Sequence, residues 1–322
     1  MPALSLPPTL AAPVVVNRRV ASRIMLDLTV YLAGPSEQEL EFLIDLYERV
    51  CPPDRLVKYK IAELELWPRI ANPVLTTAGR RAAAAGVKRP YFEPTRERIR
   101  QGRAFAAKLW DGLEIEDPDS SWGFNCQSTK KRSRGTFAFA RVLAPLTTDP
   151  DVLRRAALAI ADNVELYSGH GGLAFVYNTW LIEDAFEAIY GQARRFWGVD
   201  VEYMNDTLTL IKDGIKGVNW LTLIGAHSWS SPEIQAGLNG LSSEPNVNIE
   251  RRKRAALLTA GPQPVVGDQH RPDNSLDPYY AVAKALGPLF LKAHPDFPGE
   301  RWVKNGNTVG WIRRFLDHAG WR

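Results

Sequence analysis

The stretch that most constrains the fold is a glycine-punctuated apolar run at residues 214–225, which reads GIKGVNWLTLIG. It contains no ionisable side chain after Lys216. Gly214 and Gly217 permit positive φ or a close backbone approach, which favours a turn. The apolar, partly β-branched residues that follow are typical of a strand buried on both faces. The run therefore predicts a turn that enters a buried strand, and its simplest role is in the core.

The chain has 322 residues, of which 45% are apolar and 24% charged, close to the averages of globular proteins. We expect residues 18–322 to form a single globular domain. Residues 1–17 are apolar, but prolines interrupt them and the basic start of an export signal is missing, so we interpret them as a flexible tail. Because no later run reaches the roughly 18 apolar residues of a membrane span, we expect a soluble cytoplasmic protein.

Two strand–helix–strand patterns predict the fold class. In the first, alternation over 24–32 predicts a strand, Ser36 and Glu39 have the spacing of a capping box, and a strand follows at 59–66. In the second, strands at 137–143 and 173–177 flank a helix opened by Asp149 and Pro150. We therefore predict an α+β fold in which one or more mixed sheets are flanked by helices, with two similar strand–helix–strand halves.

Further helices are indicated by apolar residues at helical spacing. The clearest covers 182–197 and ends at Gly198, and another begins at Pro94 and runs to about Trp110. A short helix opens near Ser231 and Pro232, a strand is predicted at 256–259, and helices at 279–293 and 308–316 close the chain.

The most acidic segment is DGLEIEDPDSSW at residues 111–122, and its Gly, Pro and Ser content predicts a loop. Its carboxylates and terminal aromatic are the candidate binding residues of the chain: Asp111, Glu114, Glu116, Asp117, Asp119 and Trp122.

Basic residues form two runs, one at Lys130, Lys131, Arg132 and Arg134, and one at Arg251, Arg252, Lys253 and Arg254. The first is typical of an exposed hairpin tip. Neither run is interleaved with the aromatic residues that stack on single-stranded bases, and the net charge is only +4. Solvated surfaces are therefore the simpler interpretation, and we expect no nucleic-acid partner.

Catalytic and cofactor motifs are weak. Residues 169–172 read GHGG and are similar to an esterase oxyanion loop, but no G-x-S-x-G nucleophile exists, which favours a turn with His170 as a hydrogen-bonding residue. His270, near Asp268 and Asp273, lies in a segment typical of a turn. The histidine spacing does not indicate zinc, the two cysteines are expected to be reduced, and phosphate-binding motifs are missing. We expect no metal and no cofactor.

Three segments carry a family resemblance: YFEPTRER at 91–98, YSGHGGLAFVYNTW at 167–180 and the central run at 214–225. In this order they resemble the type VI secretion immunity family formerly classed as a domain of unknown function. The resemblance implies a protein without catalysis that neutralises an injected effector toxin encoded by an adjacent gene, a nuclease for some members. It carries no active-site residues, and we interpret Gly214, Gly217, Asn219 and Trp220 as structural.

The leading hypothesis is thus a cytoplasmic immunity protein that occludes the active site of its effector. The acidic 111–122 segment could compete with phosphate for a basic groove, and Trp122 could anchor the contact, although a solvated loop explains the same residues. Two alternatives stay open: an enzyme of unrecognised, hydrolase-like class with a site near 169–172 and His270, and a nucleic-acid-binding module. The oligomeric state is not indicated.

Overall fold

The computed structural model describes residues 4, 6–52, 55, 58–61, 93–111, 121–131, 135–317 and 321. Eleven strands of this described part form one sheet: β1 (Val14–Val16), β2 (Arg19–Leu32), β3 (Lys58–Ile61), β4 (Ala106–Trp110), β5 (Gly123–Lys131), β6 (Gly135–Ala144), β7 (Leu166–Tyr177), β8 (Val199–Asp200), β9 (Leu221–Gly225), β10 (Val247–Arg251) and β11 (Ala255–Ala260).

Helices are distributed along the whole described chain. They are α1 (Pro8–Ala11), α2 (Glu37–Val50), α3 (Glu93–Arg100), α4 (Asp151–Asn163), α5 (Ile182–Arg195), α6 (Met204–Leu210), α7 (Ala226–Trp229), α8 (Pro232–Gly240), α9 (Asp277–Ala285), α10 (Glu300–Val303) and α11 (Asn307–Ile312). Within the described ranges, none of these helices combines the length and apolar character needed to cross a membrane.

The main path of the sheet runs β10-β11-β9-β7-β2-β6-β5-β4-β3, with β1 paired to β2 and β8 paired to β7. All pairs are antiparallel except β7 with β8, which is parallel. The predicted α+β class with a mixed sheet flanked by helices is therefore confirmed. The two predicted strand–helix–strand units share this one sheet, and their helices α2 and α4 contact each other.

The central strand β2 contributes to both faces of the sheet because its side chains alternate. Leu26, Leu28 and Val30 join the main core, whereas Asp27 and Thr29 lie on the opposite face and are nevertheless buried. On that second face a smaller apolar cluster is formed by Tyr31 with side chains of β6 and α6. The sheet is thus buried on both sides near its centre, and the second side is partly polar.

Several local predictions are confirmed. Ser36 and Glu39 form the predicted capping box at the start of α2, with Ser36 N donating to Glu39 Oε2 across 2.8 Å. Ser231 caps α8 by accepting from the backbone of Ile234. Strand β11 covers the predicted strand at 256–259, and β5 and β6 form the predicted hairpin at the first basic run, where Lys131 pairs with Gly135.

Other boundaries differ from the sequence predictions. The helix predicted from Pro94 to Trp110 ends at Arg100, and its second half is strand β4, whose buried residues pair with β5. The closing helices are shorter than predicted, at 277–285 and 307–312. The predicted strand at 59–66 is described only over β3, and the rest of it lies outside the described residues.

Part of the segment predicted as a flexible tail is built into the fold. Strand β1 pairs with the start of β2, and Leu10 of α1 is buried in the main core. The apolar composition of this segment, which the prediction attributed to a tail, is thus explained by burial against the sheet.

Candidate functional site

A group of charged and polar side chains is buried on the second face of the sheet. His170 lies on β7 directly opposite Thr29 of β2. The short parallel strand β8 places Asp200 beside β7, and Glu202 follows two residues later. Lys216 enters from the loop before β9 and Arg314 from the segment after α11, so the group joins distant parts of the chain. We call Tyr31, His170, Asp200, Glu202, Lys216 and Arg314 the ionic cluster.

The Lys216 ammonium is at the centre of the ionic cluster. It donates to Asp200 Oδ2 across 2.7 Å, to the Val201 carbonyl across 2.9 Å and to Glu202 Oε2 across 2.6 Å. An ammonium group has three protons, so these acceptors use its whole donor capacity. Tyr31 also donates to Glu202 Oε2, across 2.8 Å. The lysine is therefore fully satisfied inside the protein.

The electrostatics of the cluster follow from burial and from the cations. Burial is the largest single influence on Asp200 and Glu202 and opposes their ionisation, but the interactions with Lys216 and His170 together outweigh it and hold the pKa of both carboxyl groups below their ordinary values. Burial, followed by the negative charge of Glu202, raises the pKa of Tyr31 well above its usual range. Burial lowers the pKa of Arg314 to about 10. At neutral pH Asp200 and Glu202 are therefore ionised, and the side chains of Lys216 and Arg314 supply positive charge beside them.

Three residues of the cluster have the donor types of a metal site. Ligand atoms of His170, Asp200 and Glu202 lie within 4.8 Å of one another. The histidine Nε2 is 3.1 Å from Asp200 Oδ2 and 3.4 Å from Glu202 Oε2. However, the Lys216 ammonium already contacts both carboxylates at the position that a metal ion would need. These residues do not fit a metal ion, because the protein supplies its own cation.

The contacts of Lys216 and Arg314 are those of a tightly packed interior. Lys216 and Arg314 line a small cleft beside Asn219, and this cleft is too narrow for a water molecule. Arg314 donates to the carbonyls of Trp197 and Trp311, and its guanidinium lies 3.8 Å from the Trp311 ring centre. These contacts are those of a structural ion network, in which buried charges are paired and hydrogen-bonded.

The GHGG segment is not a turn, which corrects the sequence prediction. Residues 169–172 lie inside β7 and pair with β2, and 169–171 also pair with β9 on the other side. In a strand with two neighbours the backbone N–H groups are used by the ladders, so they are not available to stabilise an oxyanion. Gly172, with φ of 153°, leaves room for Asn219, whose Oδ1 would lie 2.6 Å from an added Cβ.

The other residue of the hypothetical enzyme site, His270, is exposed. Its backbone N–H donates to Asp268 Oδ1 across 3.0 Å. Arg195 binds the same carboxylate through two nitrogens, at 2.8 and 2.7 Å, and thereby lowers the pKa of Asp268 to about 2. Asp273 accepts from the backbone of Ser275. The predicted turn explains these residues.

The acidic segment is described only at its two ends. Asp111 accepts hydrogen bonds from the backbone N–H groups of Ser121 and Trp122, at 2.6 and 2.8 Å, which closes the base of the loop. Trp122 is 6% exposed and belongs to the main core. Four candidate carboxylates lie outside the described residues: Glu114, Glu116, Asp117 and Asp119.

The second basic run is largely paired at the protein surface. Arg252 lies 3.4 Å from Glu250 and 3.9 Å from Asp162, and Arg254 lies 3.8 Å from Glu165. Arg251 stacks over Trp229, 5.3 Å from the ring centre. In the first run, Lys130 and Lys131 are in β5, while Arg132 and Arg134 lie outside the described residues.

Trp180 is a candidate that the sequence analysis did not single out. It follows β7 in a 3₁₀ turn (Thr179–Leu181), and its side chain is 75% exposed. The available signal was its position three residues beyond Tyr177, the last residue of the strand, where it no longer follows the alternation.

Comparisons with known proteins identify the family and the fold of this chain. No match was found among curated proteins. Among solved structures, the Pseudomonas aeruginosa T6SS protein PA0821 is similar with a TM-score of 0.73 at 17% identity, covering 96% of this chain and 88% of that chain. At this identity the similarity shows a shared fold. The family model for TsiV, type VI immunity for VRR-NUC, matches residues 87–315, which is more than half of the chain. The chain therefore belongs to the TsiV family of type VI immunity proteins.

Proposed function

We propose that this chain binds a cognate type VI effector with a VRR-NUC domain and neutralises it by covering the active site of that domain. The observation that carries the proposal is the family match over residues 87–315. The effector is encoded by a neighbouring gene, and the complex forms in the cytoplasm. The immunity protein itself catalyses no reaction and does not bind DNA.

The chemistry of the described residues supports binding rather than catalysis. The ionic cluster is buried, and its lysine donates to three protein acceptors, so it presents no reactive group to a substrate. Of the hypothetical hydrolase site, residues 169–172 lie in a central strand, where their backbone pairs with β2, and His270 lies in an exposed turn, where its backbone N–H donates to Asp268.

We further propose that the acidic segment between β4 and β5 contacts the nuclease. A DNA-cleaving enzyme needs cations in its substrate groove, and carboxylates compete for such cations. Asp111 and the buried Trp122 fix the base of the loop to the sheet. The proposed contact residues are then the four carboxylates between them in the sequence, Glu114, Glu116, Asp117 and Asp119.

Co-expression with the neighbouring effector gene tests neutralisation, and calorimetric titration of the purified pair tests direct binding. We expect restored growth and a one-to-one complex. Titration of the chain alone with duplex DNA is the control for the nucleic-acid alternative. If growth stays inhibited and no complex forms, the proposed function is wrong. If the chain alone binds DNA in a salt-dependent way, the nucleic-acid-binding alternative is favoured instead.

The role of the loop is tested by replacing Glu114, Glu116, Asp117 and Asp119 with lysine. A matched variant reverses four exposed carboxylates elsewhere: Asp213, Glu233, Glu244 and Asp296. Both variants change the net charge equally. We expect the loop variant alone to weaken effector binding, and equal affinities of the two variants would exclude the loop from the interface.

A further inference from the structure

Strand β10 lies at one end of the sheet path, and no described strand pairs with its outer side. On its inner side it pairs with β11 without a bulge, from Val247 opposite Ala260 to Arg251 opposite Ala256. A strand at the edge of a sheet presents a row of backbone N–H and C=O groups to which another chain can bind. The outer side of β10 is therefore a place where a further strand can be added.

The ladder shows which residues of β10 point their backbone groups outward. Arg252 N donates to the Ala255 carbonyl across 2.9 Å, in the register of the β10–β11 pair. Because hydrogen-bonded positions alternate along an antiparallel ladder, the even-numbered residues of β10 bond to β11. The backbone groups of Val247, Ile249 and Arg251 therefore point to the outer side.

The charged side chains of β10 are bound by their own chain. Arg154 on α4 donates to Glu250 Oε2 across 2.9 Å. The Arg251 guanidinium lies 5.3 Å from the ring centre of Trp229 on α7 and donates to Gln235 Oε1 across 3.3 Å. Contacts with the helices beside the sheet thus hold these two side chains and leave the backbone of the outer edge for pairing.

The two ends of the sheet path differ in the features that prevent edge pairing. Natural edge strands are commonly protected by short length, lysine, proline or a bulge. At the far end, β3 has 4 residues, which include Lys58 and Lys60. By contrast, β10 has 5 residues, none of them lysine or proline, and pairs without a bulge. In the described sheet, β10 is therefore the less protected edge.

We propose that two copies of this chain associate by antiparallel pairing of β10 with β10, which joins their sheets into one. A two-fold axis at Ile249 places this residue opposite itself, and it places Asn248 opposite Glu250 of the second copy. The Asn248 amide can then donate to that carboxylate, and no like charges lie opposite each other. Such a two-fold contact is isologous and closes after two copies.

Other registers that use the same outward groups are less favourable. An axis at Glu250 places two glutamates opposite each other, and an axis at Arg251 does the same with two arginines, which destabilises the pair. An axis at Asn248 places Arg251 opposite Pro245, which has no N–H to donate. The strand is thus self-complementary in one register, and this property favours a second copy as the occupant of the edge.

Cross-linking tests the register directly. In a hydrogen-bonded antiparallel pair the Cα atoms lie about 5.5 Å apart, which fits a disulfide. Ile249→Cys should therefore cross-link two copies under mild oxidation. Arg251→Cys is the matched control on the same strand and should not, because its two copies lie about 13 Å apart along the ladder. The natural cysteines, Cys51 and Cys126, are buried.

Light scattering of the full chain measures the association itself, and we expect a concentration-dependent dimer. Ile249→Pro removes an outward N–H and should weaken the dimer by about tenfold or more, whereas Ile249→Val keeps this group and should leave the dimer intact. Asn248→Lys should strengthen the dimer and Asn248→Glu should weaken it, each by about threefold, because Glu250 of the second copy lies opposite. Asn248 is exposed, so both of its variants should keep the wild-type melting temperature.

The outcomes separate this inference from the proposed function, because dimerisation is measured on the chain alone. A chain that stays monomeric at every concentration, or that cross-links through Arg251→Cys in preference to Ile249→Cys, would overturn the inference and leave the proposed function standing. If the chain is monomeric and Ile249→Pro instead weakens effector binding, the edge pairs with a strand of the effector, and the inference is wrong.

Discussion

Lys216 donates a hydrogen bond to Glu202 across 2.6 Å, although helix α6 separates these two residues in the chain. Neither residue is in a helix or strand, and both are buried. Their contact fixes the loop before β9 against the loop after β8. The ionic cluster thus holds the irregular segment 214–220 against the second face of the sheet.

Removing the central cation should destabilise the fold. Lys216→Met leaves Asp200 and Glu202 buried without their main partner, and breaking a buried pair in this way costs about 3–5 kcal/mol of unfolding free energy. Urea unfolding measures the change. Adding Glu202→Gln to Lys216→Met should restore part of the loss, because one uncompensated charge is removed. An unfolding free energy unchanged by Lys216→Met would contradict the structural role of the cluster.

The cluster also predicts how stability responds to acid. The folded pKa values of Asp200 and Glu202 are lowered relative to the unfolded chain, so the unfolded state binds more protons. Their stabilising contribution is present above about pH 5, and it is lost as the pH falls below about 4. Unfolding free energies measured from pH 5 to pH 2.5 should decline less in the triple variant Asp200→Asn, Glu202→Gln, Lys216→Met. Parallel declines would place the acid sensitivity elsewhere.

A separate effect is expected nearer neutrality from His294. Burial lowers its pKa. Its Nε2 lies 3.1 Å from Thr207 Oγ1, and its Nδ1 lies 2.6 Å from the Pro295 carbonyl oxygen. The folded state therefore favours the neutral ring, and stability present above about pH 6.5 should decrease as the pH falls below it, by at most about 1.4 kcal/mol per pH unit. His294→Gln should flatten this part of the profile. His270→Gln is the exposed control, and an equal flattening there would refute the assignment.

Two glycines should respond oppositely to alanine. At Gly172, with φ of 153°, an added Cβ would lie 2.6 Å from Asn219 Oδ1, so Gly172→Ala should destabilise the protein by about 1–3 kcal/mol. At Gly191, inside α5, a Cβ meets open space, and Gly191→Ala should stabilise by about 0.5–1 kcal/mol. Thermal melting of both variants measures this. A shift of the same sign for both would show that close packing at Gly172 is not the constraint.

Patterns that depend on near neighbours were predictable from the sequence. The Ser36–Glu39 capping box, the Ser231 cap and the alternation in β2 are local, and each was found where it was predicted. The type VI immunity resemblance, drawn from three motifs, is confirmed by the family match. The strand β4 was mistaken for the second half of a helix, because its short buried run is compatible with either period.

Features that depend on long-range packing were not predictable. Asp27 and Thr29 make one side of β2 polar, yet both are buried, and Asp27 pairs with Arg141 of β6, a contact that the local alternation does not predict. The GHGG segment was predicted as a turn, since glycine usually breaks strands, but here Gly172 is needed for the approach of Asn219.

We propose that this chain inhibits the effector nuclease by covering its active site. The most direct measurement titrates the purified chain into a DNA-cleavage assay of the cognate VRR-NUC effector at a fixed effector concentration above the dissociation constant. We expect cleavage to fall linearly and to end at one equivalent of the chain. Full cleavage at saturating chain, or inhibition at amounts far below one equivalent, would contradict it, because covering an active site is stoichiometric and turnover is not.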